Sequence, residues 1–118
     1  MGKKKFVNQS ELKIAVIGDE ETVAGLCLAG IGRNFLVVDG NTKRSEIQDA
    51  FVSFMRKDVA MVAINQHIAE EIRGVMKEYA NQVIPTVLEI PSKDHPYDPK
   101  KDALLQRVQV FFGANLAV

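Results

Sequence analysis

Residues 13–38 read KIAVIGDEETVAGLCLAGIGRNFLVV, and the order of residue types in this stretch decides the fold. Ile14, Ala15, Val16 and Ile17 form a continuous apolar run closed by Gly18. Continuous rather than alternating apolar residues suit a strand covered on both faces, as in a parallel sheet. Asp19 follows, a residue whose short carboxylate caps helices, and Glu20 and Glu21 stand where the positive end of the helix dipole favours acid. Val23, Leu26, Cys27 and Ile31 then recur at i, i+3, i+4 and i+8, the stripe of a helix lying on a sheet. On that reading Cys27 is a small core residue. Gly30 and Gly32 fall at the helix end, where a left-handed backbone is wanted. Residues 34–38, with Phe35, Leu36, Val37 and Val38, begin a second strand.

The same alternation continues outward. Residues 59–64 and 86–90 are further apolar runs. Two more stripes lie between them: Ile47, Ala50, Phe51, Phe54 and Met55, then Ile68, Ile72, Val75, Met76 and Tyr79. Ser45 is placed to cap the first of these stripes and His67 stands in the first turn of the second. Strand–helix alternation with short links implies right-handed crossovers and one open α/β sheet. The expected topology is four parallel strands in the order 2-1-3-4, with helices on both faces and a further C-terminal helix. Pro85 and Pro91 bracket the fourth strand, and prolines cost a sheet least on an edge strand. The chain thus divides into a basic, flexible N-terminus (1–12), an α/β domain (13–91), a proline-rich connector (92–99), a C-terminal helix (100–113) and a short tail (114–118).

The last helix does not match its place in the alternation, because too little chain follows it for another strand. Its apolar face carries Leu104, Leu105, Val108, Phe111 and Phe112, with Lys100, Lys101 and Arg107 as cations. It either packs back as one more cover helix or, held off by the connector, docks on a partner helix with its aromatics as anchors and its cations toward an acidic surface.

Composition narrows the function classes. The 118 residues hold 15 Lys and Arg against 15 Asp and Glu. The balance is uneven, with a net +3 over residues 1–13, −5 over 14–99 and +2 over 100–118. Whole-chain neutrality argues against nucleic acid, which calls for a basic face. The length fits one domain with its own core, and the lone cysteine allows no internal disulfide. Apolar runs such as 59–64 fall far short of the roughly 20 residues of a membrane helix, so no direct membrane insertion is expected. No apolar signal core follows Lys3, Lys4 and Lys5, and Phe6 stands where a lipidation motif needs Ser or Thr. A cytoplasmic location is expected.

Motifs that would carry chemistry are incomplete. There is no GxxxxGK[ST] phosphate loop, and Gly25, Gly30 and Gly32 fall in or beyond the helix, where their amides cannot meet a pyrophosphate. A receiver-like regulatory domain would hold magnesium through Asp19 and Glu20 and carry a nucleophilic Asp after the third strand. That position is Asn65, whose carboxamide lacks the attacking anionic oxygen, so Asp19 and its neighbours read more simply as a helix cap. His67 and His95 lack companions for zinc. Ser92, His95 and Asp98 share one loop, with no nucleophile elbow before them. No catalytic residue, cofactor or metal is expected.

Longer motifs resemble a known family. IAVIGDEETVAGLCLAGIG at 14–32, NFLVV at 34–38, INQHIAEEIR at 64–73 and IPTVLEIPSKDHPYDPKKD at 84–102 are similar to the F subunit of the eukaryotic vacuolar-type proton-translocating ATPase. The motif residues include Gly18, Asp19, Glu20, Asn65, Gln66, Pro91, Ser92, Lys93, His95 and Pro96. The family's longer loop before the NF strand is reduced here to Arg33. The resemblance implies a non-catalytic subunit of the rotating central stalk, on the cytosolic face of vacuolar or other endomembranes. It would sit against the coiled coil of the stalk's D subunit, near the d subunit of the membrane sector, and couple ATP hydrolysis to rotation and proton transport. Contact with the D subunit would fall to Leu104, Leu105, Arg107, Val108, Phe111 and Phe112.

Overall fold

A computed structural model describes residues 13–56 and 58–112, without the side chains of Phe111 and Phe112. The expectations for residues 1–12, Gly113 and the 114–118 tail lie outside the described residues. Four strands, β1 (Lys13–Gly18), β2 (Asn34–Val37), β3 (Val59–Asn65) and β4 (Thr86–Ile90), form one parallel sheet in the order β2-β1-β3-β4. The helices are α1 (Glu20–Leu28), α2 (Arg44–Phe54), α3 (Gln66–Glu71), α4 (Arg73–Glu78) and α5 (Ala103–Phe112), with a 3-10 turn at Pro99–Lys101. The architecture is the α/β fold expected.

Side-chain alternation along the strands explains the layers. Ala15, Ile17, Val62 and Ile64 point to one face, where Ile47 and Phe51 of α2 and Ile68, Ile72 and Met76 of the α3–α4 region close a core. Phe51 meets Tyr79 edge-to-face, ring centroids 5.8 Å apart, a favoured aromatic geometry. Val16 and Ala63 point to the other face, covered by Val23 and Leu26 of α1. Fully burying one such aliphatic side chain is worth about 1.5–3 kcal/mol, so the two-sided burial of β1 and β3 dominates the stability of the sheet. On β4, Val87 packs with the first core while Leu88, facing the thinner α1 side, stays 39% exposed.

The α1 boundaries follow the local chemistry expected. The Asp19 carboxylate accepts from the Thr22 N–H at 2.8 Å, and Gly30 and Gly32 adopt φ of 86° and 90°. Four expectations need correction. Cys27 is exposed, its thiol directed at the Gly32 carbonyl at 3.6 Å; α1 is short and only Val23 and Leu26 reach the sheet side. Ser45 is not the cap of α2, which begins at Arg44 after Lys43 with no side-chain cap bond. The single helix expected over Ile68–Tyr79 is broken at Ile72 (φ −121°). Gly74, the weakest helix former after proline, lies just beyond, and the break turns Arg73 toward β4. Lys100 and Lys101 precede α5 in the 3-10 turn. The cap of α5 is Asp102, which accepts from the Leu104 N–H at 2.9 Å.

Candidate functional site

Three side chains tie the carboxyl edge of the sheet together. Gly18 ends β1 so close to β3 that a Cβ there would lie 2.8 Å from Asn65 Oδ1 and 3.1 Å from Thr22 Cγ2. Asn65 itself is fully buried. Its Oδ1 accepts from the Asp19 N–H at 2.8 Å, and its Nδ2 donates to Thr22 Oγ1 at 3.2 Å and the Pro91 carbonyl at 3.1 Å. One carboxamide therefore joins the ends of β1 and β4 to the start of α1, which needs both a donor and an acceptor on the same side chain. Burial opposes ionisation of Asp19. The Thr22 amide and hydroxyl and the nearby His67 and His95 outweigh it, leaving the carboxyl below its ordinary value. Glu20 is exposed. Among the described residues, no three His, Cys, Asp or Glu side chains are grouped to hold a metal ion.

A second polar centre anchors α5. Glu89, 5% exposed and next to the last residue of the edge strand β4, is met by four donors. Arg73 bonds both of its oxygens, Nη2 at 2.9 Å from Oε1 and Nη1 against Oε2. Gln66 Nε2 lies 3.2 Å from Oε1, and the Ala103 N–H, in the first turn of α5, 3.3 Å from Oε2. The bond that Arg73 donates to Glu89 raises the Arg73 pKa against the opposing effect of burial. Arg73 Nη2 also reaches the Lys101 carbonyl at 2.6 Å. Gln66 holds the connector by a reciprocal pair, Nε2 to the Asp98 carbonyl at 2.8 Å and Oε1 from the Asp98 N–H at 2.6 Å. Tyr97 donates its hydroxyl to Asp102, whose carboxylate pushes the phenol up to about 12.

Beyond this root α5 stands over a groove of about 730 Å³ between itself, α4 and the start of β4. Met76, Val83, Val87, Leu104 and Val110 give the groove its apolar lining, and Lys77 and Arg107 add cations. Val83 is 80% exposed and Val110 83%. Leu104, Leu105 and Val108 are half-buried, while Arg107 is exposed. The remaining motif residues sit in the connector. Ser92 and His95 close a turn by backbone bonds in both directions. Lys93 pairs with Glu21 at 3.5 Å on the surface, and Pro91 and Pro96 are exposed.

Residues 14–108 match the family of the ATP synthase (F/14-kDa) subunit. The V-type proton ATPase F subunit of Neosartorya fischeri is 56% identical over 111 residues, spanning 85% of this chain and 89% of its own. The protein of the same name from Dictyostelium discoideum is 52% identical over 110 residues, spanning 86% and 91%. That of Homo sapiens is 50% identical over 110 residues, spanning 86% and 92%. The chain belongs to the V-type ATPase F-subunit family. The match covers almost the whole length of these relatives, so membership applies to the sheet, the connector and α5 together rather than to a shared fragment. Among the described residues no helix is long and apolar enough to cross a membrane.

Sequence reasoning found Asn65 as a motif residue standing where a receiver-like domain has its nucleophile and Gln66 as a motif residue alone, and it missed Glu89 and Arg73. A signal was present: Glu89 interrupts the apolar run TVLEI, and a carboxylate inside a strand covered by helices demands a cationic partner.

Proposed function

We propose that this protein is a non-catalytic subunit of the rotating central stalk of a vacuolar-type proton ATPase. It stabilises the shaft by packing α5 against the coiled coil of the D subunit, near the d subunit of the membrane sector, and so helps to couple ATP hydrolysis to rotation and proton transport. In this role it works in the cytosol at the surface of vacuolar or other endomembranes. Family membership supports the assignment to the complex, because the relatives are named as subunits of a V-type proton ATPase. The docking role rests on the helix. Held at its root and standing over an open apolar groove, α5 presents half-buried Leu104, Leu105 and Val108 beside exposed Arg107. Such a half-satisfied apolar face is completed by an amphipathic helix. Phe111 and Phe112 belong to the proposed contact on sequence grounds. The polar residues at the sheet edge serve structure in this reading. Asp19 caps α1, and Asn65 joins three chain ends in place of the nucleophile that a receiver-like domain would carry.

The test is reconstitution with the purified D subunit, followed by gel filtration, using the full chain and a chain ending at Lys101. The full chain is expected to co-elute with the D subunit and the shortened one to elute separately. Failure of the full chain to form the complex overturns the stalk assignment. Equal complex formation by both chains overturns the role of α5 and leaves the α/β body as the docking surface.

A further inference from the structure

Besides the surface pair of Lys93 with Glu21, the connector between β4 and α5 is fastened to the α/β body at two points of different chemistry. One is the reciprocal amide pairing of Gln66 with Asp98, which contains no titratable side chain. The other is a face-to-face stack of His67, in the first turn of α3, on His95 of the connector. The ring centroids are 3.8 Å apart and the planes are inclined by 10°. His95 Nδ1 lies 3.1 Å from Ser92 Oγ, and the Ser92 and His95 backbones bond each other at 3.0 and 3.4 Å. The stack thus holds a folded turn against the sheet edge. We propose that the His67–His95 stack is an acid-sensitive latch on the connector that carries α5, closed while at most one ring is protonated and opened when both are.

The physical basis is the contact between two imidazoles, the side-chain type whose ordinary charge change falls between pH 5 and 8. Parallel imidazoles in van der Waals contact attract, and one cation over a neutral ring is tolerated, but two cations at this separation repel. Several charged groups surround the pair. Asp19 faces it from the start of α1, and Glu70 and Glu71 from the helix of His67 itself. Asp94, Tyr97, Asp98 and Lys101 line the same pocket from the connector and the turn after it. The three carboxylates Asp19, Glu70 and Glu71 favour protonation of His67. Burial, first, and His95, second, oppose it and prevail, so the pKa of His67 falls below its ordinary value. His67 Nδ1 is buried without a hydrogen-bond partner among the described residues, which further disfavours a cationic ring needing two acceptors. A histidine with a lowered pKa stabilises the closed latch fully above its free value of 6.5. That stabilisation is lost as the pH falls from 6.5 toward the lower value of the closed form.

The latch concerns the connector alone and holds whichever partner α5 binds, so its failure leaves the docking reading standing. The test is amide hydrogen exchange of the full-length protein, with the rates corrected for the intrinsic effect of pH. Measurements span about pH 7.5 to 5.5, the window of histidine titration. Protection of the Ser92 and His95 amides is expected to fall about threefold to tenfold on acidification, one titrating group changing an equilibrium by at most about tenfold per pH unit. Amides of β1 and β3 should not change. His95→Phe, which keeps an aromatic face and cannot be protonated, should stay protected at both ends of the window, and His95→Gln should be loose at both. A wild-type connector with pH-independent protection overturns the proposal, as does a His95→Phe variant that retains the wild-type pH response. Ring-proton titration by NMR adds a check independent of exchange. His67 should titrate at a higher pH in His95→Gln than in the wild type, and an unchanged midpoint counts against the coupling.

Discussion

Asn65 shows how much a single position at a strand end can decide. It is fully buried and uses both its donor and its acceptor, so substitutions separate shape from hydrogen bonding. Asn65→Ala strands the Asp19 N–H and the Pro91 carbonyl, and is expected to cost about 1–3 kcal/mol in urea unfolding. Asn65→Asp keeps the shape but points a carboxylate at the Thr22 hydroxyl and the Pro91 carbonyl, where the amide donated. Buried without a cation, its pKa rises. The loss of stability relative to wild type should therefore be smallest in acid, where the carboxyl can still donate, and grow as the pH rises through the raised pKa. Denaturation curves at several pH values check this, and a pH-independent difference would contradict the assigned orientation of the carboxamide. In the sequence, Asn65 was legible as a substitution for the nucleophile of a receiver-like domain and as part of a motif. Its structural task was not, because the partners at 19, 22 and 91 come together only once β1, β3 and β4 lie side by side. Cys27 was misread for a related reason. A 3.6-residue stripe says which residues share a face, but not how far the covering layer extends.

Among the elements, the root of α5 stands out. The strands and their order were legible from apolar runs and from the two prolines around β4, and the cap of α1 from Asp19. The break at Ile72 was not legible, since Ile68, Ile72 and Met76 keep helical spacing and all stay buried across it. What the break achieves is the reach of Arg73 to Glu89. The Glu89 side chain is 1% exposed and that of Arg73 24%. Removing one member of a buried pair strands the other and typically costs about 3–5 kcal/mol, and the partial exposure of Arg73 places its loss near the lower end. Glu89→Ala should therefore destabilise the whole fold by about 3 kcal/mol. It should also raise the exchange of the α5 amides to a greater extent than those of β1, because the carboxylate also holds the Ala103 N–H and, through Arg73, the Lys101 carbonyl. Equal changes across the molecule in hydrogen exchange would show that Glu89 holds the core but not the helix.

For the whole molecule, charge separates the C-terminal end from the body. Residues 14–99 carry a net −5 and residues 100–118 a net +2. Lys77, Lys100 and Arg107 are exposed around the base of α5 and its groove. If the cations steer docking onto the D subunit, association should slow as salt rises and the screening length shrinks from about 10 Å at 0.1 M to about 3 Å at 1 M. Stopped-flow mixing measures it, and a rate independent of salt would assign the encounter to apolar packing alone. The sheet also bears on what happens before any partner arrives. It is open, and β4 is one of its two edges, a ladder on which a second copy of the chain could add a strand. The five residues of β4 lie between Pro85 and Pro91. Proline at each end leaves any invading strand a short ladder, and the inward carboxylate of Glu89 would be stranded by a shift in register. The ion pair that roots the helix thus also disfavours pairing of β4 with a strand from a second chain.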